Sequence, residues 1–141
     1  MYTNYVAKFE RVHEFLEQAS EFILAKRLDA FKPLAFSFYV ECATHEGAQA
    51  VTEYLMENGF SVVMEKEDES NKWLCWCHCT STPTPLKLEA MANSILYAVK
   101  TWEGALMRWE TNPYNSGQEL GQLLAAFELQ FLQEQSGVTP I

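Results

Sequence analysis

The cysteines are the residues whose type best suits metal or redox chemistry, but their spacing argues against both. Three alternate with other residues on one predicted strand and the fourth ends another: Cys75, Cys77, Cys79 and Cys42. Alternate strand residues lie roughly 6.6 Å apart and point the same way, whereas zinc ligands usually come from tight turns with C-x-x-C spacing. C-x-x-C is also the redox spacing, and His78 should point to the opposite face. We predict buried, reduced thiols and no cofactor, with a metal site or redox regulation as alternatives.

Four carboxylates share a predicted hairpin turn and form its acidic tip: Glu65, Glu67, Asp68 and Glu69. Paired carboxylates do acid–base catalysis where an apolar pocket raises a pKa, and a polar turn offers no such pocket. The sequence has no glycine-rich phosphate loop, nucleophile elbow or His-x-x-x-His spacing. His13 and His45 each stand alone. We therefore predict a solvated acidic turn in a protein that is not an enzyme.

The cysteines and the four carboxylates lie within a segment, 34–110, whose pattern is strand, helix, strand, strand, helix, strand. Apolar residues alternate from Leu34 to Cys42, as in a strand with one buried face. Thr44 and Thr84 are predicted helix caps, and Asn58-Gly59 ends the first helix. The remaining strands are expected at residues 60–65, 73–80 and 105–110. This order predicts an α+β, ferredoxin-like antiparallel sheet of strand order 4-1-3-2 with both helices on one face.

Amphipathic helices are predicted on both sides of this segment. A stripe from Tyr5 to Ile23 predicts a helix over residues 3–28, packed on the domain or on a second copy. A turn-rich linker at 112–117 then precedes a second stripe, whose helix could cover the open sheet face or swap onto a partner. That stripe comprises Leu120, Leu123, Leu124, Phe127 and Phe131. The predicted organisation is an N-terminal helix (1–33), the sheet domain (34–110), and a linker with C-terminal helix (111–141).

Composition restricts the class of partner. The chain has 141 residues, 48% of them hydrophobic, which suffices for a core without metal or disulfide support. Its net charge is −9, and clustered Lys and Arg are missing, so direct nucleic-acid contact is disfavoured and a basic protein partner is favoured. Charged residues near the N-terminus argue against a signal peptide. No apolar run approaches the ~20 residues of a membrane span, so we expect a cytoplasmic protein.

With the thiols facing the helices, the other face of the sheet should display a mixture of aromatic and polar side chains. These are Ser37, Tyr39, Glu41, Leu74, Trp76, His78, Leu106 and Arg108. Aromatic residues on central strands resemble the stacking platform of an RNA-recognition module, but the aromatic-glycine motif of those modules is missing. Because Trp, Tyr and Arg are frequent anchors of protein interfaces, we predict that Tyr39, Trp76 and Arg108 bind a protein. Burial beneath a flanking helix is the alternative.

Taken together, these motifs resemble the ribonuclease E inhibitor family, RraB, over about residues 5–114. The shared features are the leading helix, strand 35–41, a helix ending at Asn58-Gly59, the thiol-rich strand 73–79, and a closing strand with Trp109. The family ends this strand with Tyr-Asp-Gly-Trp, where this chain has Leu-Met-Arg-Trp. Its regulators can carry a strongly acidic tail, where this chain has an amphipathic stretch. The resemblance implies a non-enzymatic regulator that binds a ribonuclease and restrains it.

An acidic chain suits that role, because nucleases hold RNA on basic surfaces. We expect the acidic hairpin (Glu65, Glu67, Asp68 and Glu69) to steer association, and Tyr39, Trp76 and Arg108 to anchor the complex. The alternative is a self-associating ferredoxin-like domain, a homodimer that binds a small ligand between its subunits.

Overall fold

The computed structural model describes residues 8–113, which form three helices and a four-stranded sheet. The elements in chain order are α1 (Val12–Ala25), β1 (Leu34–Cys42), α2 (His45–Glu57), β2 (Ser61–Lys66), β3 (Trp73–Ser81), α3 (Pro85–Thr101) and β4 (Ala105–Pro113). The predicted mixed α/β fold with a four-stranded antiparallel sheet is confirmed. The predicted C-terminal helix lies outside the described residues.

All strand pairs of the sheet are antiparallel, and the order is β2-β3-β1-β4. Strands β1 and β3 pair along their whole length, from Leu34 opposite Ser81 to Cys42 opposite Trp73. Strand β4 ends at Pro113, not at the predicted residue 110, because its last residues pair with the start of β1. The Thr111 hydroxyl also donates a hydrogen bond to the Ala35 carbonyl at 2.9 Å. Strand β4 therefore borders β1 over nearly its full length.

A β-bulge in β4 divides the strand into two parts with opposite alternation. Tyr39 lies opposite Arg108, whereas the next residue of β1, Val40, lies opposite Leu106, so Met107 is the extra residue. Leu106 consequently shares a face with Val40 and packs against the hydrophobic core. The prediction that Leu106 and Arg108 lie on the same face was wrong for Leu106, because the extra residue shifts the alternation.

The hydrophobic core lies between one face of the sheet and all three helices. Phe15 of α1 contacts Phe38 and Trp109, with ring centroids 5.7 and 4.8 Å apart. The Trp109 indole N–H also donates to the Gln18 side-chain oxygen at 2.7 Å. Helices α2 and α3 contribute further buried apolar side chains: Ala48, Val51, Leu55, Leu88, Met91, Ala92, Ile95 and Ala98. One face of the sheet is thus committed to the core.

Helix α1 begins later than its hydrophobic stripe predicted. Residues 8–11 are not helical, because the Glu14 carboxylate accepts hydrogen bonds from the backbone N–H groups of Glu10 and Arg11, both at 2.9 Å. This side chain takes the place of a preceding helical turn. Phe9 folds back into the core, 4.8 Å from the Phe15 ring. The predicted start at residue 3 is therefore wrong for residues 8–11, and residues 3–7 lie outside the described part.

The predicted helix caps are present. The hydroxyl of Thr44 accepts a hydrogen bond from the Gly47 N–H at 3.0 Å, and that of Thr84 accepts one from the Lys87 N–H at 3.4 Å. Gly59, which follows α2, has a φ of 90°, a conformation that side-chain-bearing residues rarely adopt. These local signals set the start of α2 and α3 and the end of α2.

Candidate functional site

The cysteines lie on the helix side of the sheet, as their alternation predicted. Cys42, Cys75 and Cys77 are buried, Cys79 is half-buried, and all four are free thiols. The Cys75 thiol and burial raise the pKa of Cys42, burial raises the pKa of Cys77, and burial raises the pKa of Cys79 to about 12. Because the thiolate is the nucleophile and the metal ligand, the protonated thiols of Cys42, Cys77 and Cys79 are poorly suited to either chemistry.

Metal binding by groups of side chains is also not indicated by the geometry of the described residues. Within residues 8–113, no group of three or more His, Cys, Asp or Glu side chains is placed to hold a metal ion. The Cys75 thiol donates to the Ala48 carbonyl at 3.5 Å. The helix side of the sheet packs against the hydrophobic core, and the candidate functional surface is the opposite face.

We call that opposite side the open face, because α1, α2 and α3 all pack on the other side. Strand pairing arranges its side chains in rows that run across the sheet. The central row is Val63, Trp76, Tyr39 and Arg108. The rows on either side of it are Ser61, His78, Ser37 and Glu110, and Glu65, Leu74, Glu41 and Ala105. All three predicted anchors thus lie in one row.

Direct contacts join the three anchors. The rings of Tyr39 and Trp76 are stacked, with centroids 6.0 Å apart and an interplanar angle of 16°. The guanidinium carbon of Arg108 lies 3.9 Å from the centroid of the Tyr39 ring, which is a cation–π geometry. Tyr39 is therefore held between an indole and a cation, and the three side chains present one continuous surface.

Glu110 holds Tyr39 and Arg108 in place, and the sequence did not lead us to predict this role. Its carboxylate accepts a hydrogen bond from the Tyr39 hydroxyl at 2.5 Å and forms an ion pair with Arg108 at 3.1 Å. Burial and the hydrogen bond to Glu110 raise the pKa of Tyr39 well above its ordinary value, so the phenol stays protonated. The available signal was the two-residue spacing from Arg108, which places Glu110 on the same face of β4.

His78 and Ser37 form a second polar contact on the open face. The Ser37 hydroxyl lies 2.8 Å from Nδ1 of His78, whose ring packs edge-on against Trp76 with centroids 4.2 Å apart. Burial lowers the pKa of His78 to about 4, so the imidazole is neutral at neutral pH. A cavity of about 350 Å³ adjoins this contact, lined by residues that include Ala35, Thr80 and Asn112.

The acidic hairpin lies beyond one end of the open face. Glu65 is on that face, opposite Leu74, in the row next to the anchors. Glu67, Asp68 and Glu69 follow in the turn, where the Ser70 hydroxyl donates to the Glu67 carboxylate at 3.2 Å. The structure therefore brings Glu65 beside the anchor row, and it leaves the other three acids in the turn.

Lysines moderate the charge of the acidic hairpin. Lys66 ends β2, and Lys72 begins the return to β3. Lys72 also forms an ion pair with Glu41 at 3.3 Å, which ties the turn to the open face. Neither lysine removes the acidic excess of this end of the sheet, because the four hairpin acids outnumber them. The carboxylates are also solvated, so they suit long-range attraction better than catalysis.

Two comparisons with known proteins bear on identity. No curated protein matches this chain. None of the helices within residues 8–113 is long and apolar enough to cross a membrane. The family model for regulator of ribonuclease activity B, RraB, matches residues 13–111, a range that begins in α1 and ends in β4. Because this match covers more than half of the chain and overlaps every described element, the protein belongs to the RraB family of regulators of ribonuclease activity.

Proposed function

We propose that this protein regulates a ribonuclease by direct contact through its open face, restrains that enzyme, and does not itself catalyse a reaction. Family membership implies regulation of ribonuclease activity. The observation that supports this surface is the contact of Tyr39 with both Trp76 and Arg108. We also propose that the sheet and its crossover helices form a ferredoxin-like domain, spanning about residues 34–110. Its four free thiols suit a reducing compartment such as the cytoplasm.

The anchor row has the properties expected of the centre of a protein interface. Trp, Tyr and Arg are the residue types that most often dominate binding energy. Tyr39 is ordered by its hydrogen bond to Glu110, and Arg108 by its ion pair with the same carboxylate. Side chains that are already ordered lose less conformational entropy on binding. A partner that covers this row therefore gains contacts without first having to arrange them.

We propose that the acidic hairpin steers the partner towards this row. The chain carries a net charge of −9, and a ribonuclease must present a basic surface to its RNA. Complementary charge accelerates association more than it tightens the final complex. Glu65 lies one row from the anchors, so attraction at the hairpin brings a basic surface over Trp76 and Tyr39.

The second candidate is a homodimer that binds a small ligand where two open faces meet. The cavity of about 350 Å³ beside His78 favours it, because a second copy could close that cavity over a ligand. Size-exclusion chromatography with light scattering separates the two candidates. The dimer model requires twice the 16.2 kDa mass of one chain, and a monomer at working concentrations rules it out.

The main test is to capture partners with the tagged full-length chain in its native host and identify them by mass spectrometry. The captured ribonuclease is then purified, and its rate of RNA cleavage is measured with and without this protein. Arg108→Ala and Trp76→Ala should each weaken capture about tenfold or more. Lys100→Ala and Tyr97→Ala are the matched controls, because both residues are exposed on α3, away from the open face.

The fold of each variant is checked by circular dichroism before it is compared. Loss of capture by both open-face variants, with capture retained by both α3 controls, supports the proposal. Equal capture by all four variants would show that the ribonuclease binds elsewhere. Capture of a ribonuclease whose cleavage rate does not change would contradict the regulatory role.

A further inference from the structure

The open face is more buried than the described elements explain. Val63 is 7% exposed, His78 5% and Glu110 9%, although the three helices described between residues 8 and 113 all pack on the other side. Val63 is the clearest case, because β2 is an edge strand with a neighbour on one side only. It is also absent from the core cluster that joins the sheet to the helices. An apolar side chain in this position implies a cover over the open face.

The same face holds two polar atoms that need a partner. Nε1 of Trp76 and Nε2 of His78 are buried and have no hydrogen-bond partner among the described residues. A buried polar group left in this state costs about 1–3 kcal/mol, and nearly all such groups in folded proteins are satisfied. The indole N–H requires an acceptor, while the neutral imidazole offers a donor or an acceptor according to its tautomer. A cover that brings neutral amide groups would satisfy both atoms.

The chain itself supplies a segment with this chemistry. Strand β4 ends at Pro113 of the 141 residues, so 28 residues follow it, and they leave from the edge of the sheet beside the start of β1. A helix of ~12 residues is about 18 Å long, close to the width of four strands at ~4.8 Å spacing. The segment is therefore long enough to cross the whole open face after a short connection.

The composition of residues 114–141 matches the open face. They contain no Lys or Arg and include the apolar stripe of Leu120, Leu123, Leu124, Phe127 and Phe131. In a helical projection, Gln130 and Gln135 border this stripe. Glutamine amides carry both donors and acceptors, which are the groups that the two unpartnered ring nitrogens require. The stripe in turn offers apolar side chains to Val63 and Trp76.

We propose that residues 114–141 pack on the open face of their own molecule and form a cap over Val63, Trp76 and His78. The cap occupies the surface that carries Tyr39, Trp76 and Arg108, so a partner must displace it before reaching those anchors. The competition rests on the proposed function above, whereas the intramolecular contact does not. The open face is then available only to a partner that binds it more tightly than the cap does.

The contact is tested in the full-length chain by placing the photocrosslinker p-benzoylphenylalanine at position 127, inside the stripe. Crosslinked peptides are identified by mass spectrometry in a mixture of isotope-labelled and unlabelled protein. We expect crosslinks within one chain to peptides from β2 and β3. Position 122, on the opposite side of the helical projection, is the matched control and should give few of them. Crosslinks to α2 or α3, or equal yields at both positions, would overturn the proposal.

The labelled mixture also distinguishes packing of residues 114–141 on their own molecule from exchange of this segment between two molecules. Crosslinks that join labelled to unlabelled chains would show that the segment swaps onto a second molecule, which contradicts an intramolecular cap. No ribonuclease enters this experiment, so its result is independent of the proposed regulatory function.

A second variant gives an independent measurement. Phe127→Glu places a charge in the stripe and should displace the cap, exposing His78 to water. The pKa of His78, followed through its imidazole C–H proton signals in NMR, should then rise by a unit or more from about 4. The signals of His13 and His45, both exposed, should follow the same course in the variant as in wild type and serve as internal controls. An unchanged titration of His78 in a folded Phe127→Glu variant would contradict the cap.

Discussion

Protonation of His78 should destabilise this protein in mildly acidic solution. The side chain is 5% exposed, and burial lowers its pKa from the usual 6.5 to about 4, while the charge of Glu110 opposes that shift. The folded state thus resists a proton that the unfolded chain accepts. Between about pH 6.5 and pH 4 the unfolded state binds more protons, so the free energy of unfolding must fall as the pH falls through this window. The contribution of neutral His78 is fully present above pH 6.5.

The magnitude follows from the difference between the two pKa values. A shift of one unit corresponds to 1.36 kcal/mol, so lowering the pKa from 6.5 to about 4 sets an upper limit of about 3 kcal/mol in strong acid. At about pH 4.5 the unfolded chain is almost fully protonated at this site and the folded protein only partly. The expected loss between pH 7 and pH 4.5 is about 2 kcal/mol. A loss of this size is a large fraction of the stability of a typical domain.

The assay is urea unfolding of the full-length chain at pH 7, 6, 5 and 4.5, followed by tryptophan fluorescence and circular dichroism. Carboxylates also titrate near the lower limit, so wild type is compared with His78→Gln, which removes the ionisable group. The difference between the two free energies of unfolding should change by about 2 kcal/mol across the series. Phe31→Gln, a neutral change at an exposed position, should keep the wild-type pH profile. Parallel profiles for wild type and His78→Gln would refute the burial mechanism.

Other features of the structure give measurable expectations of their own. Phe15→Ala removes a fully buried ring that contacts Phe38 and Trp109 and should lower the free energy of unfolding by about 3–5 kcal/mol. Phe31→Ala, at an exposed position, should change it by less than ~0.5 kcal/mol, and similar losses for both would contradict the described core. The three buried thiols should react with Ellman's reagent only after denaturation, so rapid reaction of more than one thiol in the native protein would argue against their burial. Neutral replacement of the four acids of the acidic hairpin should slow association with the captured ribonuclease and flatten its salt dependence; an unchanged association rate would remove the steering proposal. The matched control neutralises four exposed acids on the helices: Glu46, Glu53, Glu57 and Glu89.

Much of the sheet was predictable because its signals are local. The alternation from Leu34 to Cys42 identified β1 and its buried face, and the caps at Thr44 and Thr84 identified the starts of both crossover helices. The pairing of β1 with β3 followed from the order of the elements. These features depend on side-chain periodicity and on hydrogen bonds between residues close in sequence, which the sequence records directly.

The features that were missed depend on contacts between distant residues. The bulge at Met107 has no glycine or proline to mark it, and it depends on how β4 meets β1. The role of Glu110 depends on the same register, because its partner Tyr39 lies on another strand. The start of α1 was predicted too early because the hydrophobic stripe continues before Val12. The hydrogen bonds to the Glu14 carboxylate and the burial of Phe9 instead make the helix begin at Val12. Periodicity gives no information about such competing contacts.

The bulge in β4 also affects how other molecules can approach this protein. An edge strand with a regular row of unpaired N–H and C=O groups is a template on which another chain can add a strand, including a second copy during aggregation. Met107 interrupts that row near one end of β4, and Pro113, which lacks an N–H, ends it at the other. This edge is therefore a poor starting point for a continuous intermolecular sheet. A partner that reaches this side of the molecule must recognise side chains displayed by the sheet instead of extending its backbone ladder.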